Sequence, residues 1–411
     1  MIEIIDKQSC CGCEACVQVC PKHCISFEED LEGFRYPLVN REACIDCGLC
    51  EKICPVLKQE EEKEPQDCYA AKNNSEEELL ASSSGGLFIL LAKAVLKDVG
   101  VVFGARFDKD WNVIHAYAET YEDAKAFMGS KYVQSRIGNS YIVAKEFLQA
   151  GRKVLFTGTP CQIAGLKNFL RKDYENLLTV DVICHGVPSP KVWQMYLDEI
   201  RRNASNGEDT VSFPLNPSLT EGNVPSDKYQ IRSISFRDKR LGWKKFSFVL
   251  TLAKASTVGK QNSVSFSNMF LEDPYMKVFL KNINLRPSCY SCPAKGGKSR
   301  SDITIADFWG VEKVLPDFDD NRGVGLIMVN TDKGKDIAEC LDIVCQKVSY
   351  QEAVMSNPFY FRSVNLHANR AKFFHLIDKN DSIIQLSERM LRPSMKIRVK
   401  RFLSKLKRKI L

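Results

Sequence analysis

The sequence of 411 residues has no apolar run near the ~18 residues needed to span a bilayer, so no transmembrane helix is expected. It has no leader-like start either. Met1–Asp6 is short and cysteines begin at once, so no signal peptide is expected. Neither the Walker A pattern nor G-x-G-x-x-G occurs, which removes two nucleotide-binding signatures. Net positive charge is lacking outside one segment. The net charge is +7, but residues 395–411 hold eight basic residues and no acid, leaving the body near neutral. A general nucleic-acid-binding surface is therefore not expected. What the chain has in excess is cysteine, 17 in all. In an unexported chain that number means metal ligation or redox chemistry rather than disulfides. The expected compartment is a reducing cytoplasm.

Eight of these cysteines form one pattern printed twice. Cys10, Cys13, Cys16 and Cys20 precede Pro21, and Cys44, Cys47, Cys50 and Cys54 precede Pro55. Each block reads C-x2-C-x2-C-x3-C-P, the spacing of a bacterial ferredoxin module with two [4Fe–4S] clusters. Three closely spaced thiolates cap three corners of one cubane, and the fourth, before proline, reaches the other cubane. Cys10, Cys13, Cys16 and Cys54 are thus assigned to one cluster, and Cys44, Cys47, Cys50 and Cys20 to the other. A zinc ribbon uses paired C-x2-C arms and has no need of the x3-C-P ending. Cys11 and Cys24 lie off the pattern and are expected to be spectators.

Residues 1–58 form this module, and the acidic, polar stretch 59–66 reads as a linker. A mixed α/β body is expected over 67–390, with a basic tail over 391–411. Strands are expected at Cys68–Ala71, Val101–Phe107, Val113–Tyr117, Lys153–Phe156, Leu178–Ile183, Tyr229–Arg237, Phe246–Leu252, Ile303–Ala306 and Gly325–Val329. Helices are expected at Leu87–Lys97, Pro190–Arg202, Asp273–Lys281 and Lys333–Val344, and from Pro160 to Leu170. Residues 203–228 read as a polar loop.

Three stretches of the body can approach a ligand closely. Ser82–Gly86 combines hydroxyls with glycines. Thr157-Gly158-Thr159-Pro160 leads from a strand into a helix whose first N–H groups suit a phosphate. Gly129-Ser130-Lys131-Tyr132 adds a cation and a ring. Each is also an ordinary turn when taken alone. Cys161 and Cys184 follow strands, and Cys289-x-x-Cys292-Pro293 is a further pair. Together they can supply a third cluster. The alternative is that Cys161 and Cys184 are small buried residues, with Cys289 and Cys292 binding zinc or nothing. His185 can shuttle a proton or hydrogen-bond a flavin edge, or serve structure alone. It is the candidate catalytic residue.

Six of these stretches, in order, carry a resemblance. They are Ser83-Ser84-Gly85-Gly86, Gly129–Ser135, Thr157–Gln162, Cys184-His185-Gly186, Arg286-Pro287-x-Cys289-x-x-Cys292 and Asp302–Gly310. Over about residues 67–330 the chain resembles the coenzyme F-420 hydrogenase/dehydrogenase beta-subunit family. The resemblance implies an α+β protein, a ferredoxin-type two-cluster module joined to a flavin-binding domain. It implies FAD beside an iron–sulfur cluster, moving electrons between a carrier such as ferredoxin and a two-electron acceptor. Ser83, Ser84, Gly85, Gly86, Ser130, Lys131, Thr157, Gly158, Thr159 and Pro160 become FAD contacts. Cys161, Cys184, Cys289 and Cys292 become ligands of the third cluster. The departures are Ala306, where the family has glycine, and the Gly296-Gly297-Lys298 turn. Relatives that act on chlorophyll precursors show that coenzyme F-420 is not obligatory. Similar proteins in polysaccharide-synthesis gene sets make a small-molecule, sugar- or lipid-linked substrate an open expectation. The alternative is a non-catalytic electron-transfer subunit of a larger complex.

Met395, Val399, Phe402, Leu403, Leu406 and Ile410 share one helical face, opposite the lysines and arginines. That pattern suits peripheral contact with the inner face of an anionic membrane, or docking on a protein.

Overall fold

The computed structural model describes residues 1–205, 229–254, 263–380 and 382–392. The basic face expected over 395–411 and most of the polar segment 203–228 lie outside these residues. Among them, no helix is long and apolar enough to cross a membrane.

Thirteen strands are described. In chain order they are β1 (Ile25–Glu29), β2 (Arg35–Val39), β3 (Asp67–Asn73), β4 (Val101–Phe107), β5 (Val113–Ala118), β6 (Val154–Gly158), β7 (Leu177–Val182), β8 (Tyr229–Asp238), β9 (Ser247–Lys254), β10 (Ser263–Met269), β11 (Ile303–Asp307), β12 (Gly325–Val329) and β13 (Ile343–Val348). An eight-stranded mixed sheet runs β13-β3-β12-β11-β7-β6-β4-β5, a three-stranded sheet β10-β9-β8, and β1 pairs β2. The fold is α+β. Within the large sheet β4, β6, β7 and β11 are mutually parallel. Their carboxyl ends therefore open on one edge, where ligands of such sheets bind.

Alternation along the strands divides the core. Val154 and Phe156 of β6 face the helices Ser140–Gln149 and Pro160–Leu170, while Leu155 faces the helix Leu87–Leu96. The cysteine-rich module belongs to the first face. Cys11, Cys13, Cys16, Cys50 and Cys54 share one core cluster with Ile163, Leu166 and Phe169 of helix 160–170.

Two expectations need correction. The helix expected over Lys333–Val344 is Asp332–Glu339, and β13 begins at Ile343. The β-branched run there completes the sheet by pairing with the edge of β3. The β1–β2 hairpin was not expected, because it is short and set between the cysteine blocks. Its tip ties the module to the body: Arg370 donates to both Glu32 carboxylate oxygens, at 2.9 and 2.6 Å, and Ser189 Oγ donates to the Glu32 carbonyl. The acidic segment also lies against the body. Lys63 N donates to Gly296 O at 2.9 Å, with ion pairs Glu62–Lys298 and Glu60–Arg300. A Cβ at Gly297 would stand 2.3 Å from the Lys63 carbonyl, so the Gly296-Gly297-Lys298 turn is the seat of this segment.

Candidate functional site

Each cysteine block wraps a loop by the same backbone device. Gly12 and Glu14 in the first block, and Asp46 and Gly48 in the second, all have left-handed φ between 51° and 70°. Side chains resist that region. Glu14 is kept there by burial and by accepting a hydrogen bond from Gly138 N at 2.9 Å. The result is two small cavities. One is lined by Cys10, Cys13, Cys16 and Cys54, together with Cys11. The other is lined by Cys20, Cys44, Cys47 and Cys50, together with Cys24. Four sulfur donors per cavity, with the fourth exchanged between blocks, is a donor set that fits a cubane.

Cys11 and Cys24, outside the repeat, are not remote from these sets. Cys24 Sγ lies 3.4 Å from Cys20 Sγ, and Cys11 contacts the thiols of both Cys13 and Cys161. Spacing alone carried no signal for either contact.

The four cysteines of the body come from three elements and converge. Cys289 lies within electrostatic range of Cys184, Cys292 and Cys161. Val187 N donates to Cys289 Sγ at 3.4 Å, and Thr159 Oγ1 is 3.3 Å from Cys161 Sγ. Burial pushes the Cys184 thiol up to about 12, against the opposing charge of Lys295. Contact with Cys11 and burial raise the Cys161 thiol, and burial raises Cys289 and Cys292. Such thiols ionise when a cation takes the thiolate. Among the described residues no three His, Cys, Asp or Glu side chains stand close enough for a single metal ion.

A cavity of about 590 Å3 opens at the carboxyl edge of the parallel strands, within the ~300–1,000 Å3 range of small-molecule and cofactor sites. Ser83, Ser84, Gly85, Gly86, Ser130, Lys131, Thr157, Gly158, Thr159, Cys184 and His185 all line it. Pro160 does not. It starts its helix behind a capping box in which Thr159 N donates to Gln162 Oε1 at 2.9 Å, so part of the donor set expected for a phosphate is used within the chain.

The loops hold one another. Ser130 N donates to Ser83 Oγ at 2.7 Å, and Ser84 Oγ donates to Val324 O at 2.9 Å. A Cβ at Gly85 would stand 2.4 Å from Gly325 N, so only glycine lets this loop lie on the sheet. The Lys131 ammonium donates to the carbonyls of Phe127, Met128 and Gly129 rather than standing free. Burial lowers it to about 7. His185 lies edge-on to Phe279 and Phe359, and its Nε2 is 2.7 Å from Asn282 Oδ1. Burial lowers it to about 4, so the ring is neutral at neutral pH.

Sequence reasoning missed one wall. Arg237 of β8 is ion-paired with Asp307 at the end of β11, and its guanidinium lies 4.3 Å from the Phe246 ring centroid and 5.3 Å from that of Trp309. Lys239 donates to the carbonyls of Leu79, Ser84 and Arg322, bracing the serine–glycine loop. His115 donates from Nε2 to Thr157 O at 3.0 Å, and burial lowers it to about 4. Asp307 was visible as an acid ending a strand. Arg237, Lys239 and His115 sit in no motif.

Paired cysteine cavities beside a ligand cleft define an iron–sulfur protein of redox type. Residues 9–57 match the model of a 4Fe-4S dicluster domain, and residues 151–352 match that of the carboxyl-terminal region of the coenzyme F420 hydrogenase/dehydrogenase beta subunit. Residues 151–352 thus carry the carboxyl-terminal region of this beta-subunit family, with the dicluster domain at their N-terminal side. No curated protein matches it. A chain of the F420-reducing [NiFe] hydrogenase complex from Methanosarcina barkeri is similar at 16% identity and TM-score 0.40, over 72% of this chain and 90% of that one.

Proposed function

We propose that this protein is an iron–sulfur flavoprotein oxidoreductase, moving electrons between a low-potential carrier such as ferredoxin and a two-electron acceptor, with FAD seated in the 590 Å3 cavity. The observation that carries this reading is convergence. Three loops far apart in the sequence meet at one cavity, and Cys184 stands in its wall. Clusters exchange single electrons, whereas a bound flavin supplies both one- and two-electron chemistry.

The chain's own residues have definite tasks in this scheme. Glycines 85, 86 and 158 keep Cβ atoms off the cavity floor, and the interlocked Ser83 and Ser130 hold two loops in register. Phe246, Phe270 and Trp309 give an apolar wall suited to a flat ring. The neutral His185, with Nε2–H on Asn282, leaves Nδ1 as an acceptor. Coenzyme F-420 as the acceptor is a narrower version of the proposal.

Anaerobic purification with reconstitution, followed by iron and flavin analysis, tests it. Three cubanes predict about 12 iron per chain and two predict about 8, with one FAD in either case. Protein that takes up clusters but no FAD would sink the flavin assignment. An electron-transfer subunit without its own substrate is the second reading, favoured by the exposed Cys47 at the outer cavity. It predicts clusters but no turnover by the isolated chain with any soluble acceptor.

A further inference from the structure

Among the described residues three arginines are buried, and two have carboxylate partners. Arg237 pairs with Asp307, and Arg370 with Glu32. Arg286 is the most deeply buried, at 1% exposure, yet it forms no ion pair with a carboxylate among the described residues. Its Nε donates to Cys10 O at 2.8 Å, one Nη to Gln134 Oε1 at 3.1 Å, and the other to Arg35 O at 2.9 Å and Cys10 Sγ at 3.5 Å. The Tyr36 ring lies 4.3 Å from the guanidinium carbon. Cys289 N donates back to Arg286 O at 2.9 Å. Of the sulfurs near this cation, that of Cys10 is in direct contact with it, and those of Cys11 in the module and Cys289 in the body act on its charge together with the Tyr36 phenol.

A desolvated guanidinium without a counter-charge is costly, and hydrogen bonds to neutral carbonyls offset only part of that cost. A thiolate-ligated cluster at Cys10, Cys13, Cys16 and Cys54 is anionic, and it supplies the missing charge. We propose that Arg286 is the counter-cation of the inner cluster, so that cluster loading and docking of residues 1–58 onto the body are coupled, and the cation sets the potential of that cluster above that of the outer one. Reduction makes a cluster more negative, so a nearby fixed positive charge and an N–H···S bond favour the reduced form. The inference rests on the cluster assignment of the two cysteine sets and not on FAD.

The test uses full-length reconstituted protein, Arg286→Met and Arg286→Lys, with iron analysis, anaerobic redox titration read by electron paramagnetic resonance, and hydrogen exchange. In Arg286→Met, one of the two N-terminal potentials should fall by at least about tenfold in reduction equilibrium, ~59 mV for one electron, while the other stays unchanged. Arg286→Lys should restore most of it. Stripping iron from the wild type should speed exchange at Gly138, Tyr141 and Ile142, whose amides donate to Glu14 and Gln18 of the module. Stripped Arg286→Met, with no orphaned cation, should stay better protected than stripped wild type. Unmoved potentials, equal shifts in both, or equal exchange in the two stripped proteins would overturn the proposal. Wild type carrying iron for fewer than two cubanes would overturn the cluster assignment along with it.

Discussion

Cys10, Cys13, Cys16 and Cys20 are all buried, whereas in the second block Cys44 is half-buried and Cys47 exposed. The spacing of the two blocks is identical. The difference arises from what packs on them. The first block lies against helix 160–170 and receives Gln134, Gly138 and Arg286 from the body. The second faces outward, with exposed Ile45 beside its cavity and Asp46 pairing with the chain's amino group. One motif therefore provides an inner site wired to the body and an outer site open to a partner, because ligand spacing specifies a cluster and docking specifies its role.

The largest effect that can break this comparison comes from removing one ligand of each set. Cys16→Ala and Cys47→Ala should each lower iron by about 4 per chain. Cys16→Ala should also lower the melting temperature well below that of Cys47→Ala, because its site is part of a packed core. Equal losses of stability would mean that the inner site is no more integrated than the outer.

Next is Gly165→Ala. On helix propensity alone the change should stabilise by about 1 kcal/mol. Here the new Cβ would stand 2.9 Å from Cys13 Cβ and 3.1 Å from its sulfur. Overpacking costs ~1–3 kcal/mol, so a net destabilisation in chemical denaturation is expected, with iron lost from the inner cavity only.

A smaller effect is expected at Gln18. Its Oε1 accepts from Tyr141 N at 3.0 Å and Ile142 N at 3.2 Å, at the start of helix 140–149, whose own Asn139 makes no cap. Gln18→Ala should cost about 1 kcal/mol, as loss of a cap does, and a calorimetric melt would read it.

The smallest effect lies away from both cysteine cavities and serves as a control. Lys131 is lowered to about 7 by burial, with the Arg106 charge adding to it. Unfolded, it keeps its proton to the usual lysine range. Between these limits the unfolded chain binds more protons, so its contribution makes stability rise with pH above about 7, while below that the cost of burying the charge stands in full. Lys131→Met should flatten the rise in melting temperature between about pH 7 and 9. An unchanged slope would show the ammonium to be solvated.

Much of the fold was legible because it rests on local pattern. The strand at Val101–Phe107 and the step from Val154–Gly158 into helix 160–170 follow from apolar runs bounded by Gly and Pro. β13 was not legible, since Ile343–Val348 is mostly exposed and its strand state depends on the free edge of β3. In the site, hydroxyl- and glycine-rich loops announce themselves by composition. Arg237 and Lys239 do not, since one is a single cation on an alternating strand and the other lies just past its end, until the small sheet brings Arg237 to the cleft.

The sequence by itself determined the two cysteine repeats, and with them iron–sulfur chemistry, because ligand spacing within a short loop is a local property that the chain cannot escape. Only the tertiary structure decided which repeat faces inward, and that Arg286 would be buried there without a carboxylate partner among the described residues. Those outcomes depend on contacts between residues more than 250 positions apart, such as Arg286 and Cys10, and no local spacing encodes which distant surface a loop will meet.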